Sequence, residues 1–463
     1  MRNGAQFIRR EVMIRLVRAF DEGNLVSEID KIPILLRPKH GETSRCCLYH
    51  DRAVLKYRLM ALLGFACEDE TDETRTLASY VEEALKTEPT DGAIPLTVCS
   101  AGCSSCPDSS FKVTDTCRGC FARPCVYNCP KKAISVVNQQ SQIDYSKCIK
   151  CGKCMAVCPF NAIVKTTVPC EEVCPVGAIR KDEHGTAQIN FDRCIACGKC
   201  FNACPFGAIM ERSQLLKVLQ AIQDPETEVV AMIAPSAYAQ FPGSVEQLFS
   251  AVSKLGFNDV MEVALGAEMT TAHEAQEFIE KMEEGQPIMT TSCCPAYTGL
   301  VHKHLPAFED KVSSTPSPMV YAARLVREKH PNAKTVFVGP CIAKRFEASH
   351  IPEVDYVLTF EEIGVMMAAR RIDIISQEPW ALTHPANEHA RNFAKSCGVT
   401  QAVLAELAPE HPNIQVNGKF IDGIDKKTLA MLRAYASGKL PANFLEVMAC
   451  PGGCVSGPCS LTK

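Results

Sequence analysis

Four times between Cys129 and Cys204 the chain sets a Cys-Pro pair before a short apolar tail: CPKKAI, CPFNAI, CPVGAI and CPFGAI, beginning at Cys129, Cys158, Cys174 and Cys204. Self-similarity of this kind predicts a domain of small repeated modules, each tail a short strand. Two tails close the arrays Cys148, Cys151, Cys154, Cys158 and Cys194, Cys197, Cys200, Cys204, both spaced C-x2-C-x2-C-x3-C-P. Short turns let three thiolates each grip one corner of a 4Fe4S cube, while the fourth, set off by three residues and followed by proline, reaches a second cluster. Paired zinc knuckles are the competing reading, but zinc modules do not characteristically repeat four cysteines with a trailing proline.

Two further half-motifs complicate the pairing. Cys117, Cys120, Cys125 and Cys129 stand as C-x2-C-x4-C-x3-C-P, whereas Cys170 and Cys174 keep only the last two positions. One assignment builds clusters on Cys117, Cys120, Cys125 with Cys158, on Cys148, Cys151, Cys154 with Cys129, and on Cys194, Cys197, Cys200 with Cys174. A last cluster would join Cys204 and Cys170 to two of Cys99, Cys103 and Cys106 in CSAGCSSCP. The alternative lets Cys158 and Cys204 serve the two perfect arrays as one ferredoxin with a long insertion. The expectation is therefore two to four accessory 4Fe4S clusters.

The remaining composition is that of a large globular protein. Its 27 cysteines cluster in short arrays within 463 residues, unlike the disulfide frameworks of small secreted domains, and so point to metal in a reducing compartment. A formal charge of -4, from 49 basic and 53 acidic residues, offers no footprint for nucleic acid or an anionic membrane. The basic N-terminus MRNGAQFIRREVMIRLV lacks an apolar core with a cleavage site, and no run of about 18 apolar residues occurs. A cytoplasmic protein is expected, without nucleic-acid or membrane partners.

Three regions are expected: a helical N-terminal region (1–95), a cysteine-rich ferredoxin-like α+β domain (96–213) and an α/β domain (214–463). Cys46, Cys47 and Cys67 show no repeated spacing and read as buried or free thiols of the helical region. In the α/β domain VVAMIAP, QPIMTTSCC, KTVFVGPC and FLEVMACPGGC are strand-like runs, and three of them end on cysteine. Sites in α/β sheets lie at the carboxyl ends of strands, so these loops are expected to converge on one cleft. Cys294, Cys341, Cys450 and Cys454 have the number and softness for another cluster, and Gly452 and Gly453 let backbone approach it.

The segments TSCCPAY (291–297), VGPCIAKRFE (338–347) and LEVMACPGGCVSGPC (445–459) resemble, in order and approximate spacing, the three signature motifs of the iron-only (FeFe) hydrogenases, and most closely the branch called group B. The resemblance runs over roughly residues 95 to 459. It implies a hydrogenase-type catalytic domain with an H-cluster, a 4Fe4S cube bridged by a cysteine sulfur to a diiron unit with carbonyl, cyanide and a dithiolate amine. Carried over, Cys294, Cys341 and Cys450 would bind the cube, and Cys454 would bind it and bridge to the diiron unit. Lys344 matches a lysine that contacts a cyanide, Ser236 in IAPS another cyanide-side donor, and Met448 would pack on the diiron unit. Read without the family, Lys344 is a cation near an anionic cluster and Met448 is equally a core residue.

The reaction so implied is reversible reduction of protons to hydrogen, which requires proton movement between a buried centre and water. Cys293 is adjacent to a proposed ligand, yet neighbours in an extended segment point to opposite sides, so it can hardly share the metal. As a thiol it can instead accept and release a proton. Glu274 and Glu277 lie three residues apart on one helical face, which in an unknown helix would read as a solvated acidic face. Both match the glutamates of the hydrogenase proton route, as Ser313 in KVSSTPSP matches its serine. The implied route runs Cys293, Glu274, Ser313, Glu277, solvent.

Several positions depart from the better-known hydrogenases. Gly339 stands where they often carry methionine, the third motif continues CVSGPC rather than with a glycine run, and only nine residues follow Cys454, without their usual extension. Cys459, Cys397 and Tyr297, the last often tryptophan in the family, read as structural. No GxGxxG follows a strand, and no flavin or nicotinamide site is recognisable. The resemblance implies electrons from ferredoxin or a similar small carrier, and hydrogenase maturation proteins as partners. The competing functions are a non-catalytic hydrogenase-like electron-transfer or iron-sulfur assembly protein, which lacks the diiron unit, and a hydrogen sensor.

Overall fold

The computed structural model describes residues 4–88, 92, 94–410 and 415–461. Its centre is a four-stranded parallel sheet in the order Asp259–Glu262, Val229–Ile233, Lys334–Gly339, Tyr356–Thr359. All five residues of Val229–Ile233 are buried, the continuous apolar pattern expected where helices cover both faces of a parallel strand. A second parallel sheet orders Met289–Thr290, Phe444–Met448 and Gly418–Asp422. The four runs expected to be strands are strands, and their carboxyl ends face one another across the site.

The helix Val263–Glu283 runs beside that site and packs on Pro318–Lys329. Gly266 permits this contact, since a Cβ there would come within 2.2 Å of the Pro318 carbonyl oxygen. At the far end of Pro318–Lys329, Lys329 pairs with Asp259 of the edge strand at 2.6 Å, and His330 Nε2 lies 3.2 Å from the same carboxylate.

The cysteine-rich region consists of four two-stranded antiparallel pairs: Leu96–Val98 with Ile209–Glu211, Ser110–Val113 with Ile163–Thr166, Ile134–Val137 with Gln140–Ile143, and Ile179–Lys181 with Ala187–Ile189. The isoleucine of every Cys-Pro tail opens a strand. Pairs this short bury too little to be stable alone, and here the buried faces are completed largely by cysteines, with Cys125 and Cys154 in one small core and Cys170 in another.

The helices Gly4–Asp21, Leu48–Leu62 and Leu77–Lys86 form the N-terminal region. Val12, Met13, Leu16, Val17 and Phe20 mark one helical face, and this face joins the same core as the central sheet. Arg9 and Arg10 both pair with Glu361 at the start of Phe360–Arg370. The region therefore has no separate core. It is clamped onto the α/β domain, and no helix of the described residues is long and apolar enough to cross a membrane.

Candidate active site

Cys293, Cys294, Cys341, Cys450 and Cys454 are brought together from three strand ends to line one cavity. Cys294 precedes the helix Pro295–His304, where backbone N–H groups of Tyr297 and Ala296, with that of Ala449, favour its thiolate, although burial pushes the thiol up. The loop between Cys450 and Cys454 passes so close to its neighbour that a Cβ on Gly453 would lie 2.5 Å from the Ala394 carbonyl oxygen. Gly453 also has φ 90°, a conformation that favours glycine. Gly457 brings the same loop against Pro340, beside Cys341.

The non-sulfur walls fit a bound anionic group. Ser236 Oγ is buried with no hydrogen-bond partner, a costly state for a hydroxyl unless a guest supplies one. Lys344 is buried on the cavity wall, donating from Nζ to Ser317 Oγ at 2.8 Å and pairing with Glu347 at 2.6 Å. Burial disfavours its charge, but Glu347 and the thiols Cys341 and Cys293 raise its pKa, so the ammonium persists. Met448 lines the same wall. Among the described residues no three His, Cys, Asp or Glu converge to hold a single metal ion. The donor set suits a polynuclear cluster with separate corners rather than a mononuclear ion.

From Cys293 a file of polar groups leads outward. Glu274 acts electrostatically on the Cys293 thiol, and burial pushes that thiol well up. The Glu274 carboxyl is wholly buried, accepting from the Ser292 N–H at 3.4 Å while its second oxygen has no partner. The Ser313 hydroxyl donates to Glu277 Oε2 at 2.7 Å and also acts on the Glu274 carboxyl. Glu277 is 14 % exposed and pairs with Lys281 at 3.0 Å. Burial, then the charges of Glu277 and Glu446, push Glu274 up to about 8. Glu277 is held down to about 2, because donors from Ser313, Ser314, Lys281 and Thr315 outweigh its burial. The inner carboxyl thus keeps a proton at neutral pH, and the outer one is ionised.

Two members of this surrounding were not found by sequence reasoning. Glu446 is buried, accepts the N–H groups of Cys397 and Thr400 at 2.8 Å each, and acts on Glu274, Cys293 and Cys454. The signal available was a lone carboxylate in the otherwise apolar strand FLEVM. Lys281 could have been read from its i,i+4 spacing to Glu277. Tyr297 packs in the core with its hydroxyl on Thr290, and Cys397 takes a left-handed turn.

The accessory cysteines gather in sets. Cys117, Cys120, Cys125 and Cys158 line one cavity, and Cys103, Cys106, Cys170 and Cys204 line another. Cys174 acts on Cys194, Cys197 and Cys200 together. Cys148 and Cys151 act on Cys154, whose core also includes Cys129. Cys99 does not join the set with Cys103 and Cys106. It is buried against Cys67 and Met210, with its thiol accepting the Gly102 N–H at 3.2 Å. Cys197 lies on the wall of the central cavity and acts on Cys450, so one accessory set abuts the site. Gly198 allows this approach, because a Cβ there would be 2.8 Å from both Ile342 and Pro458.

Residues 227–458, half of the chain, match the family model for the C-terminal domain of the iron-only hydrogenase large subunit. Residues 141–164 match a 4Fe-4S binding domain, and 164–215 the LdpA Fe-S cluster-binding domain. The chain is 27% identical to iron hydrogenase 1 of Clostridium pasteurianum over 71% of its own length and 66% of that protein's. It is 30% identical to the large subunit of the periplasmic Fe hydrogenase of Nitratidesulfovibrio vulgaris, over 68% of this chain and 85% of that one. A cytosolic Fe-S cluster assembly factor of Danio rerio is 23% identical over 53% of this chain and 75% of its own. A solved FeFe-hydrogenase variant from Chlamydomonas reinhardtii aligns with TM-score 0.44 and 18% identity, covering 53% of this chain and 83% of that one. With a family model matched over half its length and a relative 30% identical across two thirds of it, the chain belongs to the iron-only hydrogenase family.

Proposed function

We propose that the chain is an FeFe hydrogenase of the group B branch, which reversibly reduces protons to hydrogen with electrons relayed through accessory 4Fe4S clusters. The observation that carries this reading is the file from Cys293 through Glu274 and Ser313 to Glu277. A protein that only stores or passes electrons has no need of a buried carboxyl held protonated beside its cluster cavity.

In this reading Cys294, Cys341, Cys450 and Cys454 would hold the H-cluster, with Lys344, Ser236 and Met448 on its diiron side. When bound, that group supplies the iron site where two protons and two electrons combine to hydrogen. The chain's own residues supply protons and exclude bulk water. Cys293 exchanges a proton with Glu274, whose raised pKa lets it hold one at neutral pH. Ser313 passes it by giving one hydroxyl proton and accepting another, and ionised Glu277 collects protons from solvent. Lys344 keeps a positive charge on the cavity wall, where it favours an anionic ligand.

Electrons would enter from ferredoxin or a similar small carrier. The module Ser110–Thr166 has nine Lys and Arg against two Asp in a chain of net charge -4, and exposes Phe121, Tyr127 and Phe160 near Cys120 and Cys158. A basic, partly apolar face suits an acidic protein partner. They would leave through the Cys194, Cys197, Cys200, Cys174 set next to Cys450.

Infrared spectroscopy of protein produced with hydrogenase maturation proteins tests the assignment. Bound carbonyl and cyanide bands are expected. Their absence under competent maturation would replace this reading with that of an iron-sulfur carrier or assembly factor.

A further inference from the structure

The N-terminal region brings one buried cation, Arg58, and two partly buried ones, Arg45 and Arg9, to the loops that hold Cys103 and Cys204. Arg45 donates to the Gly102 carbonyl at 3.3 Å and to the Phe206 carbonyl at 2.9 Å. Arg58 donates to the same Phe206 carbonyl at 3.4 Å and to that of Ala5 at 3.4 Å, and its Nε has no partner. It comes up against the turn after Cys204, so that a Cβ on Gly207 would be 2.6 Å from its guanidinium. Arg9 completes the group, stacked 4.4 Å from the Phe201 ring.

These cations are unevenly compensated. Arg9 pairs with Glu361, and Arg45 has Asp51 at 3.7 Å. Arg58 is 8% exposed and forms no ion pair among the described residues. Burial and its like-charged neighbours Arg45 and Arg9 hold its pKa down to about 10, and the groups opposing them are the thiols Cys99 and Cys204. A buried, unpaired cation among other cations is costly unless an anion stands among them. Cys103, Cys106, Cys170 and Cys204 line the neighbouring cavity. A 4Fe4S cluster on four thiolates would supply that anion, and its negative charge grows by one on reduction.

We propose that Arg58, backed by Arg45, is the charge partner of the accessory cluster on Cys103, Cys106, Cys170 and Cys204, and that the N-terminal region thereby raises its reduction potential. This rests on the four-cluster reading of the cysteine-rich region. A nearby cation stabilises the reduced, more negative cluster over the oxidised one, so this cluster becomes a holding station for one electron. Its neighbour on the shared helix Pro169–Val173, through Cys174, is the set beside the central cavity. Arg45 and Arg58 act as positioning residues as well, since both grip carbonyls of the ligand loops.

The test is a redox titration followed by electron paramagnetic resonance. It uses the full chain with its iron-sulfur clusters, produced without maturation proteins so that hydrogen turnover plays no part. Arg58→Met should move one cluster's midpoint to more negative potential, by a threefold to tenfold change in its oxidised-to-reduced ratio, tenfold being 59 mV for one electron. Arg58→Lys should restore most of the shift, and the other midpoints should stay in place. Unmoved midpoints in Arg58→Met at full iron content overturn the proposal. If Arg58→Met loses four irons, Arg45→Met decides: a negative shift of the same cluster supports the proposal and an unmoved one overturns it. A wild-type preparation with no cluster at these cysteines overturns the cluster count and the proposal together, whereas a full count with unmoved midpoints overturns the proposal alone.

Discussion

Ser313 donates its hydroxyl to Oε2 of Glu277 over 2.7 Å, and it is one of several donors that converge on that carboxylate. The N–H of Ser314 at 2.8 Å, the Thr315 hydroxyl at 2.8 Å and Lys281 at 3.0 Å complete the ring. Glu277 is therefore held down to about 2. A carboxyl depressed in the folded state contributes stability above its unfolded pKa and loses it as pH falls toward the folded one. Wild type should exceed Glu277→Gln by about 2–3 kcal/mol in urea unfolding at pH 6, and the gap should narrow by about 1 kcal/mol at pH 4. A gap independent of pH would count against the ring of donors as its source.

Glu274 carries the opposite sign. Burial first, then Glu277 and Glu446, raise it to about 8. Between the unfolded value, about 4.3, and 8 the folded chain keeps a proton that the unfolded chain has released, so this group lowers stability as pH rises through that window. Glu274→Gln should gain stability, on the order of 4 kcal/mol at pH 8 and about 1 kcal/mol at pH 5. If Glu274 carries protons as proposed, hydrogen turnover should also fall at least ~100-fold. Equal stability of the two proteins at pH 8 would show that the buried carboxyl is not held protonated.

Adjacent thiols should separate cleanly by assay. Cys293→Ala should keep its iron and its infrared bands but lose most turnover, because a methyl group cannot carry a proton. Cys294→Ala removes a proposed corner of the cube and should lose iron along with the bands. Loss of iron from both variants alike would mean that Cys293 belongs to the metal site.

The central site was legible because its chemistry is local in sequence. Cys294, Cys341 and Cys450 each follow a strand-like apolar run, with Cys454 four residues beyond Cys450, and parallel strands carry such run ends to one side whatever the intervening loops do. Glu274 and Glu277 share a helical face by spacing alone. Pairing among the accessory halves was not legible, because a Cys-Pro thiol can serve its own half or another, and only packing decides. Cys99 shows the same limit: it has the spacing of a ligand, but the strand Leu96–Val98 turns it toward Cys67. Arg45 and Arg58 gave no signal of their place beside the cysteine loops, since the carbonyls they grip there lie more than 50 residues away.

The basic module should reveal itself in salt dependence. If an acidic carrier docks near Phe121 and Phe160, turnover with reduced ferredoxin should slow as salt rises and screens the attraction. Lys131→Glu with Lys132→Glu should raise KM for the carrier severalfold, while turnover with a small uncharged reductant stays unchanged. Both residues are exposed and unpaired by any acidic group among the described residues. Salt-independent kinetics with the carrier would place its docking face elsewhere.

Gly339 and Phe337 divide one space at the cavity wall. Residues two apart on a strand share a face, and a Cβ built on Gly339 would lie 2.5 Å from Cε1 of Phe337. Phe337, 4% exposed, lines the cavity and fills room that a longer side chain at 339 would need. Introducing methionine, as related hydrogenases often have there, should therefore strain the wall: Gly339→Met alone should cost about 1–3 kcal/mol. Phe337→Ala alone leaves a void and should cost ~3 kcal/mol or more. Together the changes should cost less than their sum, with a favourable coupling of at least about 1 kcal/mol in a double-mutant cycle. The maturated double variant should also shift the carbonyl and cyanide bands, because the group facing the cavity has changed. Additive stabilities with unshifted bands would mean that Phe337 neither fills the room beside Gly339 nor faces the bound group.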